Sequence, residues 1–309
     1  MTTFAQHVDD YLRLRRSLGF KLTEHARLLA KFAARMDNTS VPFITTEVAL
    51  AWAVEPVVAE GSVVPAMRLL VVRGFASYMA GIDPRTEIPP TGLIRLRRQR
   101  RVPYIYTDDE ILALMDRARS AIRQRLVAAT YVTLIGLLAA TGMRVSEAIK
   151  LDDSDIDSDQ AVLLVRESKF NKSRYVPLHD STVDALQRYA HTREKLCPSR
   201  LAPSFLVSLR RRRLNDCAVQ ATFRRLCDAT GVGARAPLPP RLHDLRHTKA
   251  VNTLLGWYRE GVDVQARLTA LSTYLGHLDP IYTYYYLSAA PELLAHAAGM
   301  LDAAQEGHS

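Results

Sequence analysis

The sequence predicts a mainly α-helical protein with a small antiparallel sheet, arranged as two domains. Three observations favour this fold class. Apolar residues recur at helical spacing through the first ninety residues, a stretch rich in proline, glycine and arginine then interrupts the pattern, and two short β-type runs later flank a polar turn. A chain of 309 residues is long enough for two domains that each bury a core.

Residues 1–81 predict a helical domain. Gly19 ends the first apolar stripe, and the Asp37-Asn38 pair follows the second. We expect four helices, at residues 4–18, 22–36, 46–58 and 64–80.

Residues 82–104 predict a basic linker, because IDPRTEIPPTG, whose prolines and glycine interrupt regular structure, is followed by the run RLRRQRR. Such a run can lie along a phosphate backbone, although a solvated charge run has comparable weight. The candidate DNA contacts in this segment are Arg95, Arg97, Arg98, Arg100 and Arg101.

Residues 105–288 predict the second domain. It opens with a capping box, in which Thr107 and Glu110 precede an apolar stripe. The β-type runs at 161–166 and 174–178 enclose the turn SKFNKS, and residues 204–208 predict a further short strand. Helices fit residues 121–140, 181–194 and the segment from Asn215 onward. Residues 289–309 predict a helical tail, which packs either on its own domain or on a neighbouring protomer.

The charge balance suits a polyanionic partner such as nucleic acid, since 41 basic residues face 32 acidic ones and the net charge is +9. Three widely spaced cysteines form neither a disulfide framework nor a Cys-x-x-Cys metal site, which fits a reducing cytosol. No apolar run resembles a signal peptide or a membrane span. We therefore expect a cytoplasmic protein.

Four separated segments carry residues suited to a phosphate group. TGMRVSEA places an arginine at a helix start after glycine, and RLHDLRHT places a histidine and an arginine on one helical face. A lysine occupies the turn between the β runs, and a tyrosine stands nine residues after the histidine of LGH. Each signal is weak alone, but the ordered set is specific. The candidate catalytic residues are Arg144, Lys169, His243, Arg246, His277 and Tyr286.

These segments resemble the tyrosine recombinase, or phage integrase, family. Its catalytic domain carries an arginine in TGxRxSE, a lysine in a β-hairpin turn, an HxxR pair, a histidine after LG and a tyrosine about nine positions later. Here the matching segments are TGMRVSE, ESKFNKSRYVPL, HDLRH, YLGH and the tyrosine cluster. The resemblance covers roughly residues 105–290, and the N-terminal helices look like the family's core-binding domain. It implies the two-domain architecture of that family.

The resemblance also implies a function and partners. It implies a site-specific recombinase that forms a 3′-phosphotyrosyl intermediate on double-stranded DNA and exchanges strands through a four-way junction. Four protomers would act on two DNA sites without any cofactor. The tail PIYTYYYLSAAPELL is similar to transposon-borne members, which favours integration or transposition on a mobile element over other roles.

Each candidate residue has a role that follows from charge and pKa. Arg144 and Arg246 neutralise the charge that grows on the phosphate. The Tyr286 phenol, with an ordinary pKa near ~10, needs a base, and His243 is the candidate. His277 contacts the phosphate or shares that duty.

The remaining candidates act on the leaving oxygen, on Arg144 and on the DNA. Lys169 is the candidate acid for the leaving 5′-oxygen, with Lys172 as the alternative because the turn reads Ser-Lys-Phe where the family has Gly-Lys-Gly. Glu147, one helical turn from Arg144, orients or balances that arginine. Lys172 and Arg174 are further candidate DNA contacts.

No metal site is predicted. The candidate segments hold no acidic pair or histidine cluster arranged as metal ligands, and the acids from Asp152 to Asp159 are interpreted as a solvated loop.

Two alternatives remain open at this stage. A type IB topoisomerase uses similar residues to nick and reseal one duplex, and a catalytically silent DNA-binding protein could retain the same fold. The DNA site, and the choice between integration, transposition and resolution, also stay open.

Among the four clustered tyrosines, Tyr286 is the predicted nucleophile. Tyr282 lies one turn earlier on the same helical face and is the nearest competitor, whereas Tyr284 and Tyr285 point progressively away. We expect Tyr286→Phe to abolish covalent trapping of DNA while leaving DNA binding intact, as measured on denaturing and native gels. An adduct that persists in this variant but disappears in Tyr282→Phe or Tyr285→Phe would reassign the nucleophile.

Overall fold

The computed structural model describes residues 3–39, 41–56, 58, 61–95, 101–166, 173–276, 279, 281 and 283–284. The chain divides into two compact units, Met1–Arg101 and Val102–Ser309. The predicted fold class is confirmed, because helices dominate and a three-stranded antiparallel sheet accompanies them. The finer division into residues 1–81, 82–104, 105–288 and 289–309 stays a prediction.

The described residues of the N-terminal unit form four helices. The threonine before the first helix, Thr3, forms a capping box with Gln6, and Thr45 caps the third helix. At the centre, Phe32 meets the Trp52 ring edge to face at 5.2 Å, and the Arg68 guanidinium lies 3.6 Å over the same indole. The helices are α1 Phe4–Ser17, α2 Thr23–Asp37, α3 Thr46–Val54 and α4 Val64–Met79.

Seven further continuous helices lie among the described residues of the second unit. Thr107 and Glu110 form the predicted capping box at the start of the first of them. The helices are α5 Asp108–Ala121, α6 Arg125–Thr141, α7 Val145–Lys150, α8 Asp180–Leu196, α9 Asp216–Thr230, α10 Asp244–Arg259 and α11 Val264–Leu275. In the part of the chain that the structure describes, none of the helices combines the length and apolar composition needed to cross a membrane.

The sheet has the order β1-β2-β3, and its strands are β1 Ile156–Asp157, β2 Val162–Val165 and β3 Arg174–Pro177. Val165 lies opposite Arg174 in the register. The predicted strand at residues 204–208 was wrong, since Ser204 and Val207 form only isolated bridges. The segment that pairs with Ser204 through Asp152 continues directly into a 3₁₀ turn, Asp153–Asp155, so a β ladder cannot extend along it.

The core of the second unit surrounds α6, whose Leu134, Ile135 and Leu138 are buried. The start of α10 is tied to the segment before α5, because the Tyr106 backbone N–H donates to the Thr248 hydroxyl and the Tyr106 hydroxyl donates to the Arg241 carbonyl. Helix α10 packs on both α6 and α11. The ends of these three helices therefore meet in a fixed arrangement.

Candidate active site

The C-terminal end of α11 is where the site arginines converge. The backbone carbonyls of residues 274, 275 and 276 each accept a hydrogen bond from a different guanidinium: Arg174 Nε at 2.9 Å, Arg246 Nη2 at 2.6 Å and Arg144 Nη2 at 2.9 Å. The last carbonyls of a helix lack intrahelical partners and form the negative end of its dipole. We call these three carbonyls the α11 carbonyl cluster.

Arg144 is held by its own short helix as well as by this cluster. Gly142 ends α6 in the left-handed conformation, with φ +62°, and Arg144 then caps α7. Its backbone N–H donates to Glu147 Oε2 at 2.9 Å, and its Nη1 donates to Glu147 Oε1 at 2.7 Å. The structure thus places this arginine at the helix start that the sequence predicted.

Glu147 joins two of the three arginines. Its side chain is 4% exposed, and besides Arg144 it accepts two hydrogen bonds from Arg174, at 3.0 Å and 2.9 Å. Burial alone would raise the pKa of this carboxyl, but the hydrogen bonds and charge of Arg174, followed by those of Arg144, lower the pKa to about 2. Glu147 therefore stays ionised between two cations.

Arg246 is the most deeply placed of the three arginines, at 2% exposed. It stands in the first turn of α10 and donates through Nη1 to the Gly142 carbonyl at 2.9 Å. With its bond to the α11 carbonyl cluster, it ties the end of α6 to the end of α11.

His243 lies immediately before α10, with its ring centroid 5.1 Å from that of His247. The His243 ring is exposed at its outer side, yet its pKa is lowered to about 4, first by desolvation from the residues packed around it and then by the charges of Arg246 and Arg241. The pKa of His247 is lowered to about 4 as well, first by burial and then by His243. Both rings are therefore neutral at pH 7, and the unprotonated nitrogen of each can accept a proton.

Arg174 occupies a position that the sequence analysis did not foresee. It was predicted as a DNA contact, but its side chain is only 11% exposed and binds Glu147 and the α11 carbonyl cluster. The available signal was strand alternation, since Tyr175 is exposed while Val176, on the same face as Arg174, is buried. The predicted DNA contact stays untested.

Several predicted residues lie outside the described residues, and their roles stay predictions. Of the linker arginines, Arg95 is exposed and Arg101 is half-buried. The predicted site residues that lie outside the described residues are Arg97, Arg98, Arg100, Lys169, Lys172, His277 and Tyr286.

The interpretation of the acidic stretch after α7 as a solvated loop holds for the exposed Asp157 and Asp159 and was wrong for the acids before them. Asp155 is buried and pairs with Arg166 at 2.6 Å. Asp152 pairs with Arg213, and Asp153 pairs with the buried Arg193. Burial of carboxylates requires such partners. Across the residues that the structure describes, no group of three histidine, cysteine or acidic side chains could hold a metal ion.

Comparisons with known proteins extend these observations. A family model described as the phage integrase family matches residues 105–292. The putative integrase/recombinase y4rB of Sinorhizobium fredii (strain NBRC 101917 / NGR234) is 43% identical, over 98% of this chain and 98% of the relative. Tyrosine recombinase XerD of Brucella abortus (strain 2308) is 31% identical over 74% of this chain and 72% of the relative.

Two solved structures share the fold. The Tn1549 transposon integrase in complex with transposon right end DNA has a TM-score of 0.64 at 16% identity, covering 97% of this chain and 99% of that one. A lambda integrase tetramer bound to a Holliday junction has a TM-score of 0.60 at 21% identity, covering 92% of this chain and 77% of that one.

Gly276 offers a test of the α11 carbonyl cluster. Its φ is +70°, and a Cβ added there would lie 2.8 Å from Arg174 Nη1, whereas Gly261 has φ +69° and nothing within 4 Å. Both Gly→Ala variants carry the left-handed backbone cost of about 1–2 kcal/mol. Only Gly276→Ala also displaces Arg174 from Glu147 and the Tyr274 carbonyl, so we expect its free energy of unfolding in urea titrations to fall by about 1–3 kcal/mol more. Equal losses in the two variants would contradict the packing.

The two histidines predict a pH dependence of stability. Since their pKa values are about 4 in the folded chain and ~6.5 when unfolded, the unfolded chain binds more protons between these values. The free energy of unfolding should therefore fall as the pH drops from about 6.5 toward 4. Ring NMR signals of both residues should titrate well below pH 6 in the folded chain and near ~6.5 in urea; coincident titrations would contradict the assignment.

Proposed function

The chain belongs to the phage integrase family and is a tyrosine recombinase, and we propose that it exchanges strands between two DNA sites through a covalent bond to Tyr286. One observation supports this proposal above the others. The guanidinium groups of Arg144 and Arg246 are fixed on the α11 carbonyl cluster, which ends one residue before His277. Two cations are thus preorganised at the helix end from which the chain continues toward the proposed nucleophile.

In the first step the Tyr286 oxygen attacks the scissile phosphorus. The P–O bond to the 5′-oxygen breaks as the bond to the tyrosine forms, which leaves a 3′-phosphotyrosyl link. The phenol proton passes to His243, and Lys169 protonates the leaving 5′-oxygen. Arg144 and Arg246 bind the non-bridging oxygens, whose charge grows in the transition state.

The lowered pKa of His243 suits its role in the DNA-free chain. A general base must be unprotonated before the reaction, and His243 is neutral at pH 7 because Arg246 and Arg241 oppose its protonation. The same cations favour the phenolate form of a nearby tyrosine. His277 would complete the phosphate contacts.

In the second step a 5′-hydroxyl from the partner duplex attacks the phosphotyrosyl phosphorus, and the bond from phosphorus to the Tyr286 oxygen breaks. Lys169, neutral after the first step, takes the hydroxyl proton, and His243 returns its proton to the Tyr286 oxygen. Bond energy is conserved through both steps, so the balanced reaction requires no cofactor. The tetramer that lambda integrase forms on a Holliday junction supports the same assembly here, with four protomers on two DNA sites.

The two units would divide the work on DNA. We assign the N-terminal helical unit to binding of the core site and the arginines at 95–101 to the phosphate backbone. The relatives named as a putative integrase/recombinase and as a transposon integrase support a role in DNA integration or transposition. The reaction would take place in the bacterial cytoplasm.

The decisive experiment begins with a library of nicked duplexes of randomised sequence, in which cleavage releases a short oligonucleotide and prevents resealing. We expect the chain to form covalent adducts with a distinct set of sequences, and Tyr286→Phe to form none. No enriched adduct from the wild-type chain would contradict the proposal in favour of a silent DNA-binding protein.

The enriched duplex then serves in a strand-exchange assay with two differently labelled copies. We expect labelled products that join the two copies. Relaxation of a supercoiled plasmid without any joined product would instead indicate a nicking and resealing enzyme.

A further inference from the structure

We propose that Arg174 is a positioning residue of the recombinase site, which keeps Arg144 aimed at the DNA phosphate and keeps Glu147 from offsetting the charge of Arg144. The inference rests on the proposed function, in which Arg144 binds that phosphate. It assigns to the β3 strand a part in catalysis that does not involve DNA contact.

The contacts of Arg174 reach both supports of Arg144. Arg144 is held at two points, the Glu147 carboxylate and the Gly276 carbonyl. Arg174 donates to both oxygens of that carboxylate and, through Nε, to the Tyr274 carbonyl two residues before Gly276. One planar guanidinium thus binds the carboxylate that holds Arg144 and the helix end that leads into the Gly276 carbonyl.

Charge gives Arg174 a second task. Glu147 carries one negative charge, which alone would neutralise Arg144 inside a buried site. Because Arg174 shares the same carboxylate in a bidentate pair, the three side chains together keep a net positive charge for the phosphate. The lowered pKa of Glu147, to about 2 despite its burial, agrees with a carboxylate shared by two cations.

Packing against Gly276 limits where the arginine side chain can move. The Gly276 Cα lies against the guanidinium so closely that an added Cβ would be 2.8 Å from Nη1 and 2.9 Å from Cζ. A lysine retains the charge but cannot supply the bidentate pair together with the Nε bond.

The experiment measures covalent cleavage of the enriched duplex, made either with an ordinary scissile phosphate or with a methylphosphonate, in which a methyl group replaces one charged oxygen. If Arg174 acts through Arg144, loss of Arg174 should slow cleavage most when the scissile phosphate carries a charge for Arg144 to neutralise. We expect Arg174→Met to slow cleavage of the diester by about 100-fold, and cleavage of the methylphosphonate by much less. Arg174→Lys should regain part of the diester rate.

Arg193 provides the matched control. It is buried in the same unit, with a side chain 3% exposed against 11% for Arg174, and it donates to Asp153 and to the Phe205 carbonyl, away from the site. Arg193→Met should slow both substrates to a similar extent, if at all. Equal slowing of both substrates by Arg174→Met, with no recovery in Arg174→Lys, would show a merely structural role and overturn the inference.

A crystal structure of the Arg174→Met chain tests the inference without DNA. We expect the Arg144 guanidinium to leave the Gly276 carbonyl or to rotate on Glu147. An Arg144 that keeps both bonds at their present lengths would overturn the inference, whereas failure of the wild-type chain to cleave any duplex would overturn only the proposed function.

Discussion

The hydrogen bonding of three arginines to the C-terminal carbonyls of α11 is the interaction on which the rest of the site depends. A helix ends with carbonyl groups that need donors, and here Arg144, Arg174 and Arg246 supply them from segments far apart in the chain. Each bond therefore joins a different part of the second unit to α11. The left-handed backbone conformations at Gly142 and Gly276 belong to the same arrangement, because both glycines end a helix at a point where a guanidinium group packs.

The same arrangement brings positive charge together before any phosphate arrives. Three guanidinium groups and the single carboxylate of Glu147 leave a net charge of +2 among these four side chains. The negative end of the α11 dipole offsets part of their repulsion. A bound phosphate relieves this repulsion, most of all when its own negative charge grows in the transition state. The preorganised charges therefore lower the barrier to cleavage.

Local features of this chain could be predicted from its sequence, and distant pairings could not. The capping box at Thr107 and the placement of Arg144 at the start of α7 depend on neighbours within four residues, and both predictions hold in the structure. The bond from Arg174 to Tyr274 joins residues 100 apart, which no local pattern specifies. For the same reason the acids after α7 were misjudged, because their partners, such as Arg213, come from later segments. The roles of Lys169, His277 and Tyr286 stay predictions from motif order alone.

The close approach of Gly276 to Arg174 also limits the paths by which the sequence can change. A side chain at position 276 collides with the long arginine, whereas a shorter residue at position 174 removes the collision but gives up the grip on Glu147. A lineage can therefore acquire a side chain at 276 only after position 174 has changed. That first change costs Glu147 one of the two arginines that pair with it. The two positions should accordingly vary together among descendants, in a fixed order of substitutions.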